Sequence, residues 1–189
     1  MYFRDIVLES KAQDFIDYIE SLSKEDIEGF NKIVKQYTDD IAKLITFGKY
    51  KKVSFEKPDS KREFTPRGYI YFADDKSPNL NKLRKQYKDD HDEYLNAVSN
   101  AEDEYDASGK LDKSAAVIKE KLKSFASANN FDITSENDRD TKLLNNENSV
   151  EVEYRAALEY DEDYSEFMAH HMIELCVTKL DLSHNGLHW

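Results

Sequence analysis

The sequence predicts an α+β fold, predominantly helical, with a small antiparallel sheet of about three strands and a long helical hairpin. Only 5 Gly and 3 Pro punctuate 189 residues, so long helices are expected. Several segments repeat apolar residues at helical spacing, and one late segment alternates apolar and polar residues with a period of two. With 39% hydrophobic and 12% aromatic residues the chain can bury a core, and its length suits a single domain over 1–189.

Ser10-Lys11-Ala12-Gln13 has the form of a capping box, in which the Ser hydroxyl and Gln amide satisfy free N–H groups at a helix start. Ala12, Phe15, Ile16, Ile19 and Leu22 follow at helical spacing. Ser23 can cap a second helix with the stripe Ile27, Phe30, Val34, Tyr37, Ile41, Leu44 and Ile45, ending at Gly48. Val53 and Phe55 alternate with polar residues and Tyr69-Ile70-Tyr71-Phe72 is apolar on both faces, which predicts two strands. The third strand is Val150, Val152, Tyr154, Ala156, Leu158 and Tyr160 at every second position, with Glu151, Glu153, Arg155 and Glu159 opposite. Between them, residues 78–128 read as a hairpin that can project as an arm. Tyr87, His91, Tyr94, Val98, Ala101 and Tyr105 form the seam of the outgoing helix, Gly109 the turn, and Leu111, Ala115, Ile118, Leu122 and Phe125 the facing stripe. Residues 129–149, rich in Asn, Asp and Ser, read as a long loop, and residues 164–182 as a last helix.

The formal charge is −12, which argues against a protein that binds nucleic acid by overall charge. From Asp89 to Asp106 there are eight acids, Asp89, Asp90, Asp92, Glu93, Glu102, Asp103, Glu104 and Asp106, and no Lys or Arg. On one helix they form an anionic wall about 27 Å long at about 1.5 Å per residue. A second group, Glu159, Asp161, Glu162, Asp163 and Glu166, follows the third strand. A wall without cations either confers solubility or faces a basic partner, because a helix stabilised for itself interleaves Glu with Lys. Residues 43–67 are a basic island of net charge +5 that includes Lys49, Lys51, Lys52, Lys61, Arg62 and Arg67. Its interleaved Tyr50, Phe55, Phe64, Tyr69 and Tyr71 are core residues or, on a sheet, a stacking platform for unpaired bases.

His170, His171 and Glu174 are the best metal candidates. On a helix, His170 and Glu174 share a face, and His184, His188 or Asp181 would have to complete the site. His91 reads as a packed residue within the apolar seam. The single cysteine, Cys176, lies among Ile173, Val177 and Leu180 and reads as buried, and no glycine loop for phosphate binding is present.

These features point to an acidic binding protein that inhibits a basic nucleic-acid-handling protein such as a nuclease. It resembles, in general type only, bacterial immunity proteins and phage anti-CRISPR, anti-restriction or DNA-mimic inhibitors. No cofactor, membrane contact or direct nucleic-acid contact is expected, and a homodimer is compatible with the sequence. The alternatives are a small metal-dependent enzyme using His170, His171 and Glu174, or a structural phage protein that self-associates through the hairpin. The acidic N-terminus, Met1-Tyr2-Phe3-Arg4-Asp5, lacks the basic and then apolar regions of a signal peptide, so a cytoplasmic location is expected, the bacterial host cytoplasm if the protein is phage-encoded.

Overall fold

In an extended chain successive side chains point to opposite faces, so alternating sequences make sheets with one buried face. The protein uses that geometry more than its helical stretches suggest. The structure is a computed structural model and describes residues 3–45, 52–58, 65–73, 101–161, 166–181 and 184, with only the backbone for 3–10, 73, 161 and 166. Among the described residues there are three α-helices, α1 (Phe3–Ser21), α2 (Lys24–Leu44) and α3 (Glu104–Ala128). Six strands accompany them: β1 (Lys52–Glu56), β2 (Arg67–Ala73), β3 (Asp132–Glu136), β4 (Asp140–Asn145), β5 (Val150–Asp161) and β6 (Glu166–Val177). They form one sheet in the order β1-β2-β6-β5-β4-β3, antiparallel throughout.

This corrects the expectation of a predominantly helical protein with about three strands. The predicted strands at 53–55, 69–72 and 150–160 are present, but the segment read as the last helix is β6, followed by one 3-10 turn at Thr178–Leu180. β6 lies between β2 and β5, and its positions facing away from the core include the apolar Met168, Met172 and Cys176 among its polar ones, which blurs the alternation expected of a strand. Its composition therefore mimics a buried helix. The segment read as the 129–149 loop is a hairpin of β3 and β4, and its Asn residues supply turn chemistry. Asn137 Oδ1 accepts from the N–H groups of Arg139 (2.9 Å) and Asp140 (2.8 Å), and Asn145 Oδ1 accepts from Asn148 N–H (2.9 Å).

Helix α2 begins as the sequence predicts. Ser23 Oγ accepts from Asp26 N–H (3.1 Å) and Asp26 Oδ2 accepts from Ser23 N–H (2.9 Å), a complete capping box. The Ser10–Gln13 box, in contrast, lies inside α1, which starts at Phe3. The outgoing arm of the expected hairpin falls largely on residues outside the described ones, as does Gly48. Gly109 is not a turn: it sits inside α3, whose N-cap is Asp103, so Tyr105 belongs to the return helix.

All three helices contribute to one core against one face of the sheet. α2 packs on β1, β2 and β6, α3 on β3, β5 and β6, and Phe15 and Ile19 of α1 join the same cluster. The facing side chains include Ile70, Phe72, Leu143, Val152, Tyr154, Ile173 and Leu175, all buried. At Gly68 α2 comes close to β2: a Cβ there would lie 1.8 Å from Thr38 Oγ1. A second, smaller cluster of Ala107, Leu111 and Ala169 seats the start of α3 on the distal half of the β5–β6 hairpin. No helix among the described residues is long and apolar enough to cross a membrane.

Candidate functional site

The acids of the expected wall divide on folding. Asp89, Asp90, Asp92 and Glu93 lie outside the described residues, as do Glu162 and Asp163. Glu102, Asp103, Glu104 and Asp106 gather at the N-terminus of α3, where the helix dipole favours negative charge. Asp103 Oδ1 accepts from Asp106 N–H (2.8 Å), and Asp106 Oδ2 accepts from Lys110 Nζ (2.7 Å) and Glu102 N–H (3.2 Å). The Lys110 hydrogen bond, followed by the Glu102 amide, holds the Asp106 carboxyl below its ordinary range. Part of the acidic run is therefore capping, and Lys110 supplies a cation that an acid count ending at residue 106 omits. Glu102, Asp103 and Glu104 are exposed.

Folding also brings the acidic start of α3 to the β5–β6 pair. Glu104 lines a surface pocket with Leu158, Tyr160 and Phe167, which brings the start of α3 to the end of the β5–β6 hairpin. Tyr105 is 90% and Tyr160 50% exposed at this end of the molecule. Glu159 neighbours them in sequence but points to the other face of the sheet, as does the register position of Asp161.

Of the basic island, Lys49, Lys51, Lys61 and Arg62 fall outside the described residues, and Lys52 is exposed on β1 opposite Tyr71. Arg67 is no open contact point. Its guanidinium donates to Glu174 and to Asp181 Oδ2 (2.7 Å), tying β2 to β6 and to the segment after the 3-10 turn. Burial works to lower its pKa, but the Asp181 and Glu174 carboxylates outweigh that and raise it.

The metal candidate loses the geometry on which it rested. On a strand His170 and His171 point to opposite faces, and four residues span about 13 Å at about 3.3 Å each, so His170 and Glu174 are not a helical i,i+4 pair. Glu174 and Asp181 are taken by Arg67, and His184 Nδ1 lies 3.9 Å from Glu151. His188 and His91 lie outside the described residues. Among the described residues no group of three or more His, Cys, Asp or Glu side chains is placed to hold a metal ion. Cys176 is buried as expected, which together with Asp181 pushes its thiol up to about 12.

His171 faces the core and is fully buried. Its Nδ1 is 2.9 Å from the Tyr154 hydroxyl and its Nε2 is 3.2 Å from Ser114 Oγ. Ser114 gives its own proton to Leu111 C=O (2.8 Å), so it accepts from His171 Nε2–H, and Tyr154 O–H donates to Nδ1. Burial, and secondarily His170, pushes the imidazole down to about 3, so it is neutral. The Ser–His pair resembles a nucleophile and base, but the serine proton points away from the histidine, so its role is structural.

On the face of the sheet opposite the core, the open face among the described residues, His170 makes contacts that sequence reading missed. Its Nδ1 is hydrogen-bonded to the Tyr71 hydroxyl, and its Nε2 lies 2.8 Å from Glu159 Oε2. Nε2 has no aligned hydrogen-bond partner, so the carboxylate stands beside the ring without a hydrogen bond to it. Alternation of Met168, His170 and Met172 against Phe167, Ala169 and His171 is the signal that would have placed His170 on this face. Comparison of the chain with known protein families, with characterised proteins and with solved structures finds no match.

Proposed function

We propose that this protein is an acidic binding protein whose contact surface is formed by the start of α3 and the adjoining Leu158, Tyr160 and Phe167 of β5 and β6, and that its partner is a basic, nucleic-acid-handling protein. One observation carries the reading: the exposed acidic start of α3, with Glu104 and the neighbouring Tyr105, meets exposed Tyr160 of β5 at a surface pocket, although the two segments are far apart in sequence. Tyrosines supply large contact area at low entropic cost and are enriched at binding hot spots. Surrounding carboxylates steer a cationic partner and fix its orientation. Inhibition of the partner follows if this end occupies a groove built for nucleic acid.

The test is titration of the protein into DNA-cleavage reactions by a panel of restriction and RNA-guided nucleases. At least one is expected to be inhibited. The combined Glu102→Gln, Asp103→Asn, Glu104→Gln variant should weaken inhibition tenfold or more and flatten its salt dependence, and Tyr105→Ala should weaken it without changing the salt slope. Asp103→Asn keeps the helix cap, so loss of inhibition is not loss of α3. A panel with no inhibited nuclease, or a triple variant that inhibits as well as the native chain, overturns the proposal.

A further inference from the structure

The registers of the three central strands bring one nucleophile, one base and one carboxylate into a line. Ala73 and Ala157 both pair with His170, so Tyr71 on β2 and Glu159 on β5 flank it diagonally on the open face. Diagonal neighbours across a sheet are within reach of long side chains. The Tyr71 hydroxyl meets His170 Nδ1, with the two rings 5.9 Å apart and inclined by 30°, and Glu159 Oε2 stands 2.8 Å from Nε2. The tautomer with its proton on Nε2, beside the carboxylate, leaves the Nδ1 lone pair to accept from the phenol. This is the order in which activated nucleophiles are built: hydroxyl, imidazole base, and an anion that stabilises the imidazolium once formed.

From this arrangement we infer that Tyr71 is an acyl-acceptor site, a phenol nucleophile toward activated acyl groups such as acyl-imidazoles and aryl esters. The Tyr71 oxygen attacks the acyl carbonyl carbon while its proton passes to His170 Nδ1. The tetrahedral intermediate collapses with rupture of the bond to the leaving group, which takes that proton from His170. The balance is acyl–X plus Tyr71–OH giving acyl–O–Tyr71 plus H–X, with no oxidant, reductant or further reactant. Glu159 acts through His170 and is a positioning residue. Tyr71 is 37% exposed, so an acyl donor can reach it. The Tyr154–His171 pair in the core shares the phenol–imidazole hydrogen bond but is fully buried, and supplies an internal contrast.

The experiment is acetylation of the full chain with N-acetylimidazole, with rates at individual tyrosines read by peptide mass spectrometry across pH. Tyr71 should acetylate at least tenfold faster than Tyr105, although Tyr105 is 90% exposed. His170→Gln should remove that advantage. Glu159→Gln should reduce it and alter the shape of the Tyr71 rate–pH profile, while the rates at Tyr105 and Tyr160 stay unchanged. Circular dichroism establishes that each variant is folded. If His170→Gln does not fold, Glu159→Gln and the native pH profile decide, because base assistance gives Tyr71 a rate–pH profile unlike that of Tyr105. Acetylation of Tyr71 no faster than Tyr105, an undiminished advantage in His170→Gln, or a native Tyr71 profile parallel to that of Tyr105 overturns the inference.

Discussion

His170 and His171 are neighbours in the chain, and each hydrogen-bonds a tyrosine from an adjacent strand, yet the two faces of the sheet give them different chemistry. His171 lies under the helices with both nitrogens bonded to neutral hydroxyls and its imidazole held neutral by burial. His170 lies on the open face, where its second nitrogen meets a carboxylate in place of a serine. Burial without a counter-charge disfavours the protonated ring of His171. The same residue type is thus a packing element on one side and a candidate base on the other, and the difference is a single step of strand alternation.

The contrast can be broken most strongly from the core side. His171→Ala removes a buried ring and strands the Tyr154 hydroxyl, so a loss of about 3–5 kcal/mol is expected in urea denaturation. Acid should reveal the same residue. Its pKa is about 3 in the folded protein against 6.5 ordinarily, so the unfolded chain takes the proton first. This contribution is complete above pH 6.5 and is lost as pH falls toward about 3, with a slope of at most about 1.4 kcal/mol per pH unit. Urea midpoints measured between pH 6.5 and 5 should therefore fall in the native protein and fall less in His171→Gln.

On the open face, Arg67→Met leaves the Glu174 and Asp181 carboxylates without their shared cation. A loss of about 2 kcal/mol is expected, less than for a fully buried pair because Arg67 is partly exposed. Asp103→Ala should cost about 1 kcal/mol and Asp103→Asn almost nothing, and thermal melts of the two variants separate capping from any role in binding. His170→Gln should be the mildest, within about 0.5 kcal/mol, since it changes a partly exposed site outside the core. A His170 variant as unstable as His171→Ala would abolish the distinction between the faces.

Elements whose signals are local were legible in the sequence. The Ser23 cap, the Leu111–Phe125 stripe of α3 and the alternation of β5 each depend on residues a few positions apart. β6 was not legible, because Met168, Met172 and Cys176 put apolar residues on its outward face as well, so its alternation is blurred and it matches a helix in composition. β3 and β4 were hidden for the opposite reason. Their inward positions include Thr141 and Asn145, which read as loop residues, and Asn145 is useful inside because its amide donates to the carbonyls of Asn129 (2.9 Å) and Asn130 (3.3 Å) after α3. The acidic run was legible as charge, but its division between a helix cap and an exposed end depends on where α3 starts.

By itself, then, the sequence determined the charge, the capped helix α2, the apolar face of α3 and the alternating strand β5. Only the tertiary structure decided that residues 166–177 extend, that His170 and His171 part to opposite faces, and that Glu104 meets Tyr160. The physical reason is range: caps and periodic stripes act within a turn or a strand, whereas strand pairing joins segments about a hundred residues apart, as in Tyr71 and His170, and no local pattern records which partner a strand will find.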